Sequence, residues 1–180
     1  MGKEGLFMRI AFFSTKPYDR IWFEPMAKDY GYEIYFIELP FSEETMFLAK
    51  GYDAACIFVN DHVNGKMIDY LYENKVKALL LRSAGYNHVD VKAAKGKIEV
   101  LRVPSYSPEA VAEFAMAMLL TVNRFTHKAY GRTREFNMNI NGLMGTDLFH
   151  KVAGVIGTGK IGQAMIRIFQ GFRMNILAYD

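Results

Sequence analysis

Gly157-x-Gly159-x-x-Gly162 is the pattern in this chain with the most chemistry in it. It follows the apolar run Val152-Ala-Gly-Val-Ile156 and precedes a stretch of helical character, Ile161–Phe172. A strand that runs through such a turn into a helix binds the pyrophosphate of a dinucleotide. Gly157 allows the sharp turn, Gly159 lets the diphosphate reach the backbone, and Gly162 lets the helix pack on the strand. The first N–H groups of the helix and its dipole then hold the phosphates. Asp180 stands 18 residues beyond Gly162, at the tip of a second apolar run, Asn175–Tyr179. A carboxylate there accepts both hydroxyls of the adenosine ribose and repels a 2′-phosphate, so NAD is expected over NADP. The competing reading is a tight turn that binds nothing, with Asp180 merely ending a strand.

The other reactive side chains give weaker signals. Cys56 is the single cysteine and sits in the apolar run Ala54–Val59. It has no partner for a disulfide or a metal pair, so a buried strand thiol in a reducing compartment is expected. His62, His88, His127 and His150 are scattered and read as surface or turn residues. No spacing suggests a metal site. A formal charge of +3 over 180 residues, with the basic residues dispersed, does not point to nucleic acid. The densest basic group, His127-Lys128 with Arg132 and Arg134, reads as the solvated end of a helix. Met1–Met8 has no apolar signal segment, and Leu6 occupies the Ser/Thr position of a myristoylation motif. Met1–Phe7 reads as an extension ahead of the fold. Phe114–Val122 is too short to span a bilayer. A cytoplasmic protein that touches neither membrane nor nucleic acid is expected.

These residues need a scaffold, and the 51% hydrophobic share supplies material for one. Strand-like runs at 9–14, 33–37, 54–59, 78–82 and 99–103 alternate with helical stretches at 19–30, 67–73 and 89–95. Ser42 before Glu43 and Glu44 reads as the cap of a further helix reaching Lys50 and closed by Gly51. Apolar runs without alternation mark strands covered on both faces, so an open parallel sheet is expected. Ser107-Pro108-Glu109 then starts a long helix to about Arg124 or further. Its stripe Ala110, Val111, Phe114, Ala115, Met118, Leu119 and Val122 is wide enough to predict burial on more than one side, between domains or subunits. Residues 133–149 read as a loop with short helical pieces. A boundary near Pro104–Ser107 divides the chain into 1–104 and 105–180.

Four blocks in this order resemble the D-isomer-specific 2-hydroxyacid dehydrogenases. They are Phe58-Val-Asn-Asp61, Leu81-Arg-Ser-Ala-Gly-Tyr-Asn-His-Val-Asp90, Arg102-Val-Pro-Ser-Tyr-Ser-Pro-Glu-Ala-Val-Ala-Glu113 and Ala153–Gly162. The match looks closest to fermentative D-lactate dehydrogenases of bacteria. The resemblance implies a flavodoxin-like α/β substrate domain over 1–104, followed by the start of a Rossmann NAD domain over 105–180. It places the loop Arg82–Asn87 at the domain cleft, with backbone N–H groups of Ala84 and Gly85 toward the substrate carboxylate. It gives Tyr106 a hydroxyl that helps hold the acid. Around the phosphates it sets Thr158, Lys160 and Ile161 beside the three glycines. Without it, Ser83–Asn87 is a polar turn and Tyr106 a linker residue.

Two departures accompany the resemblance. Phe114 stands where many members have histidine. The family's substrate-orienting arginine, acid/base histidine and supporting glutamate all fall beyond the position that matches Asp180. The expectation is therefore an NAD-dependent reduction of pyruvate to D-lactate by the complete enzyme, a homodimer through helix 107–124. The 180 residues alone are expected to lack catalytic residues and the return of the chain to the first domain, to be inactive, and to self-associate. A dehydrogenase for another 2-oxo acid, such as glycerate or glyoxylate, and a non-catalytic NAD-binding or subunit-interacting protein remain open.

Overall fold

The structure, a computed structural model, describes residues 8–180; Met1–Phe7, read above as an extension, lies outside the described residues. The chain forms two compact units, the first ending at Tyr106 and the second spanning Ser107–Asp180.

The first unit is a five-stranded parallel sheet in the order β2-β1-β3-β4-β5. Its strands are β1 (Arg9–Phe12), β2 (Glu33–Phe36), β3 (Ala54–Ile57), β4 (Ala78–Leu81) and β5 (Glu99–Arg102). This is the flavodoxin-like order, in which ligands meet the carboxyl ends of the strands. Alternate side chains build two separate cores. Ala11, Ala55, Ile57, Leu79 and Leu81 pack with Met67, Ile68 and Leu71 of α2 (Gly65–Glu73) and Ala94 of α3 (Val91–Ala94). Ile10, Phe12, Ala54, Cys56 and Ala78 point the other way, toward Phe23 of α1 (Pro17–Tyr30). The expectation of strands covered on both faces holds for the central three.

Local chemistry explains the helix starts of this unit. Asp19 closes a capping box by accepting from Lys16 N at 2.7 Å, with Pro17 in the first turn. Asn64 caps α2 through Met67 N, and Asp90 caps α3 through Ala93 N. The helix expected from Ser42 to Lys50 is absent. Only a 3-10 turn, Met46–Ala49, forms there. Ser42 N donates to Thr45 Oγ1, and Glu43 is drawn off to Asn64 and Lys66. With Phe41 and Ala49 buried at either end, the segment is set by its anchors rather than by cap propensity.

In the second unit α4 (Pro108–Arg124) begins at Ser107, whose Oγ accepts from Ala110 N. The helix does not run on. Phe125 takes a φ of 51°, and α5 (Thr126–Arg134) starts afresh. Of the loop with short helical pieces expected over 133–149, Thr133 and Arg134 end α5, and no helix follows before β6 (Val152–Ile156). β6 pairs in parallel with β7 (Asn175–Tyr179), and α6 (Lys160–Gly171) joins them. Met116, Ala153, Val155 and Phe169 make the core, with Leu119 and Leu120 against it. Thus α4 buries one face, on α6 and β6. Its other apolar face, Val111, Phe114, Met118 and Val122, is exposed in the single chain and open to the domain or subunit contact expected from its composition.

Candidate functional site

Ala84 and Gly85 follow β4, the strand beside the end of the sheet. The start of their loop is fixed by Arg82. Its N–H donates to Ile57 O at 3.2 Å. Its side chain, only 10% exposed, donates from Nη2 to Phe13 O at 3.0 Å and Ser14 O at 3.3 Å. The guanidinium carbon lies 4.0 Å from the centre of the Phe12 ring and 5.2 Å from that of Phe58. Asp19 stands 3.8 Å from Nη1. Nε and Nη1 are buried without a hydrogen bond. A buried cation is costly unless held on several sides, and here the ends of β1, β3 and β4 all converge on one. Asp61, itself buried, braces the adjacent loops by accepting from Ser14 Oγ, Phe41 N and Phe58 N at 2.7, 3.1 and 2.7 Å.

The loop beyond Arg82 is tied through carbonyls. Ser83 O accepts from Val103 N, Ala84 O from Arg102 Nη1, and Gly85 O from Ser83 Oγ. Among the described residues, the N–H groups of Ala84 and Gly85 find no acceptor. A side chain at Gly85 would meet nothing within 4 Å. Free amides in open space are what a carboxylate needs. Tyr106 lies on the segment leaving β5, the neighbouring strand, and is 57% exposed. The structure thus brings Ala84 and Gly85 together and puts Tyr106 on the same unit. The parts played by Arg82 and Arg102 were missed in the sequence. An arginine ending the apolar run Ala78–Leu81 was the available signal.

His88 closes this loop. Its O accepts from Val63 N at 2.8 Å, and its Nε2 is buried without a partner. Burial, and then the nearby His62, hold its pKa below the ordinary 6.5, with Asp61 opposing. On the sheet beneath, burial pushes the Cys56 thiol up to about 12, so it is no nucleophile at neutral pH.

The second unit carries the glycine turn between β6 and α6. Gly157 has a φ of 91° and donates its N–H to Tyr179 O at 2.7 Å. A Cβ on Gly162 would lie 2.0 Å from Gly157 O. Both glycines are demanded by the fold. Gly159 is not, since a Cβ there would touch nothing within 4 Å and its φ is −64°. The N–H groups of Thr158 and Gly159 have no acceptor among the described residues, and those of Lys160 and Ile161 open the helix, where donors are orphaned. Thr158 Oγ1 donates to Asp180 Oδ2, which places the carboxylate beside the turn and leaves Oδ1 unbonded. A diphosphate on the amides with a ribose diol at Asp180 fits this arrangement. Among the described residues no cluster of side chains suits a metal ion, and no helix is long and apolar enough to cross a membrane.

The family model described as D-isomer specific 2-hydroxyacid dehydrogenase, catalytic domain, matches residues 10–176. A 2-hydroxyacid dehydrogenase homolog of Haemophilus influenzae is 48% identical over 174 residues, covering 96% of this chain and 53% of its own length. D-lactate dehydrogenase of Escherichia coli is 47% identical over 174 residues, with the same coverages. Its apo structure superposes with a TM-score of 0.86, covering 96% of this chain and 55% of that one. D-lactate dehydrogenase from Aquifex aeolicus, complexed with NAD and lactic acid, matches with a TM-score of 0.79 at 27% identity, covering 95% of this chain and 51% of that one. The chain spans about half the length of the curated relatives it matches.

Proposed function

The chain belongs to the D-isomer-specific 2-hydroxyacid dehydrogenases, and we propose that the protein it forms acts as an NAD-dependent D-lactate dehydrogenase, reducing pyruvate. The first unit is its acid-binding domain and the second the dinucleotide-binding part. The carrying observation is the glycine pair that the fold does not require. Gly85 and Gly159 each stand beside unpartnered amides with open space over their Cα atoms. The first set suits a carboxylate and the second a diphosphate.

In this reading Ala84 and Gly85 hold the acid group, with the Tyr106 hydroxyl as a further donor. Gly157, Thr158, Gly159, Lys160, Ile161 and Gly162 form the phosphate cradle. Asp180 takes the ribose hydroxyls and disfavours a 2′-phosphate. NAD, when bound, supplies the hydride acceptor or donor for C2 of the acid. A proton must move at the C2 oxygen in the same step. Neither site described here offers an acid/base side chain or an arginine clamp, so these residues bind and orient rather than transfer the proton. The names of the relatives favour lactate over other 2-hydroxy acids. The outward face of α4 is the surface assigned to a homodimer. The lone, buried Cys56 suits a cytoplasmic setting.

Calorimetry tests the assignment. The 180-residue chain is expected to bind NAD more tightly than NADP, and Asp180→Ala to weaken NAD by about tenfold or more, the scale of a charge-assisted hydrogen bond. Equal NAD affinity in the two proteins would remove Asp180 from the site. The chain alone is expected to oxidise no NADH in the presence of pyruvate, and turnover would refute that part.

A further inference from the structure

On the reading that the amides of Ala84 and Gly85 receive the substrate carboxylate, we infer that Arg102 and Ser83 are the positioning residues that aim them, and that the N–H of Tyr86 joins the receiver. A peptide unit is planar. Where it is trans, as throughout the described residues, its C=O and the following N–H point to opposite sides. Holding a carbonyl therefore aims the next N–H.

Successive carbonyls in this loop are all held. Ser83 O accepts from Val103 N at 3.1 Å, so the Ala84 N–H faces away from β5. Ala84 O accepts from Arg102 Nη1 at 2.9 Å, so the Gly85 N–H faces away from that guanidinium. Gly85 O accepts from Ser83 Oγ at 2.8 Å, so the Tyr86 N–H is turned outward in its turn. None of the N–H groups of Ala84, Gly85 and Tyr86 has an acceptor among the described residues. Carbonyls spent on donors and amides left free make an anion receiver out of plain backbone.

Arg102 is built for this task. It ends β5 in register with Leu81, so its side chain starts level with the root of the loop. Its guanidinium carbon lies 5.5 Å from the centre of the Tyr86 ring, which restrains both side chains. A charged donor on Ala84 O also polarises that peptide and strengthens the Gly85 N–H as a donor. The arginine acts on the substrate through the backbone, without touching it. Ser83, buried, spends its hydroxyl on the same loop.

Oxamate, a carboxylate with an adjacent oxo group, is the probe. It is titrated into the 15N-labelled 180-residue chain and followed at the amides of Ala84, Gly85 and Tyr86. These signals are expected to shift and saturate in the unaltered chain. Arg102→Met should weaken binding roughly tenfold, Arg102→Lys should recover most of it, and Ser83→Ala should lose about threefold, the range of single hydrogen bonds. In the ligand-free Arg102→Met protein the residual dipolar coupling of the Gly85 N–H should change while those of β1, β3 and β4 do not. If Arg102→Met does not fold, Arg102→Gln replaces it with the same expectation. Unchanged oxamate affinity in the arginine variant overturns the positioning role and leaves the receiver standing. Absence of any response at these three amides in the unaltered chain overturns the receiver itself, and this inference with it.

Discussion

A methyl group built on Gly85 would meet no heavy atom within 4 Å, and the residue's φ lies outside the left-handed region. Alanine should therefore fold there without strain, changing stability by no more than about 0.5 kcal/mol. A ligand carboxylate on the adjacent amides would meet that methyl. Gly85→Ala is expected to keep its melting temperature and to lose oxamate binding; retained binding would show that the acid approaches elsewhere. His88 makes a pH prediction with a definite sign. Its folded pKa is held below 6.5, so between that lowered value and 6.5 the unfolded chain binds more protons than the folded one. Stability is then complete above pH 6.5 and declines as the pH falls below it. His88→Asn should flatten this slope in denaturant titrations run at a series of pH values; an unaltered slope would assign it to other groups. Single glycines and histidines were visible in the sequence, but their environments were not. A free amide and an orphaned Nε2 exist only once neighbouring loops have closed round them.

The β6–turn–α6 unit separates glycines that the fold needs from one that it does not. Gly162→Ala would press a Cβ to 2.0 Å from Gly157 O, a backbone atom that cannot swing aside. Overpacking of that kind costs about 1–3 kcal/mol or more, so thermal unfolding should occur at a clearly lower temperature. Gly159→Ala should leave that temperature unchanged and weaken NAD at least tenfold by calorimetry. If both alanines acted only on stability, the turn would be structural and nothing more. This element was legible in the sequence because its code is local: an apolar strand, a fixed glycine spacing and an amphipathic helix. The segment after Ser42 was not, although its cap chemistry looked strong. There Glu43 is claimed by Lys66 and Asn64 from another element, and Phe41 is buried. The helix beginning at Pro108 ends at Arg124, near where its apolar spacing ran out, but the sequence left a longer run open. The break comes from the left-handed backbone at Phe125.

At the scale of the molecule, the parallel sheet of the first unit follows from an alternation of strands and helices that was readable along the chain, while its strand order was implied only by the family resemblance. The composition of α4 asks for burial on two sides, and a single chain supplies one of them. Its inner face is satisfied by α6, while Phe114 remains 69% exposed and Val111, Met118 and Val122 lie open with it. Phe136 and Met144, each 90% exposed, add apolar surface on the same unit. So much exposed apolar area exceeds scattered surface residues and calls for association. A twofold contact along α4 would bring each Phe114 near its own copy, where a carboxylate on both sides would repel. The chain is expected to sediment as a dimer or larger species at micromolar concentration. Phe114→Glu combined with Val122→Glu should shift it toward monomer with the fold retained by circular dichroism. The open face of β6 and β7, where Ile156 is 88% exposed, is the rival surface. Association undiminished in the α4 double variant but abolished by Ile156→Lys would transfer the contact to the strands, and a monomeric unaltered chain would eliminate both.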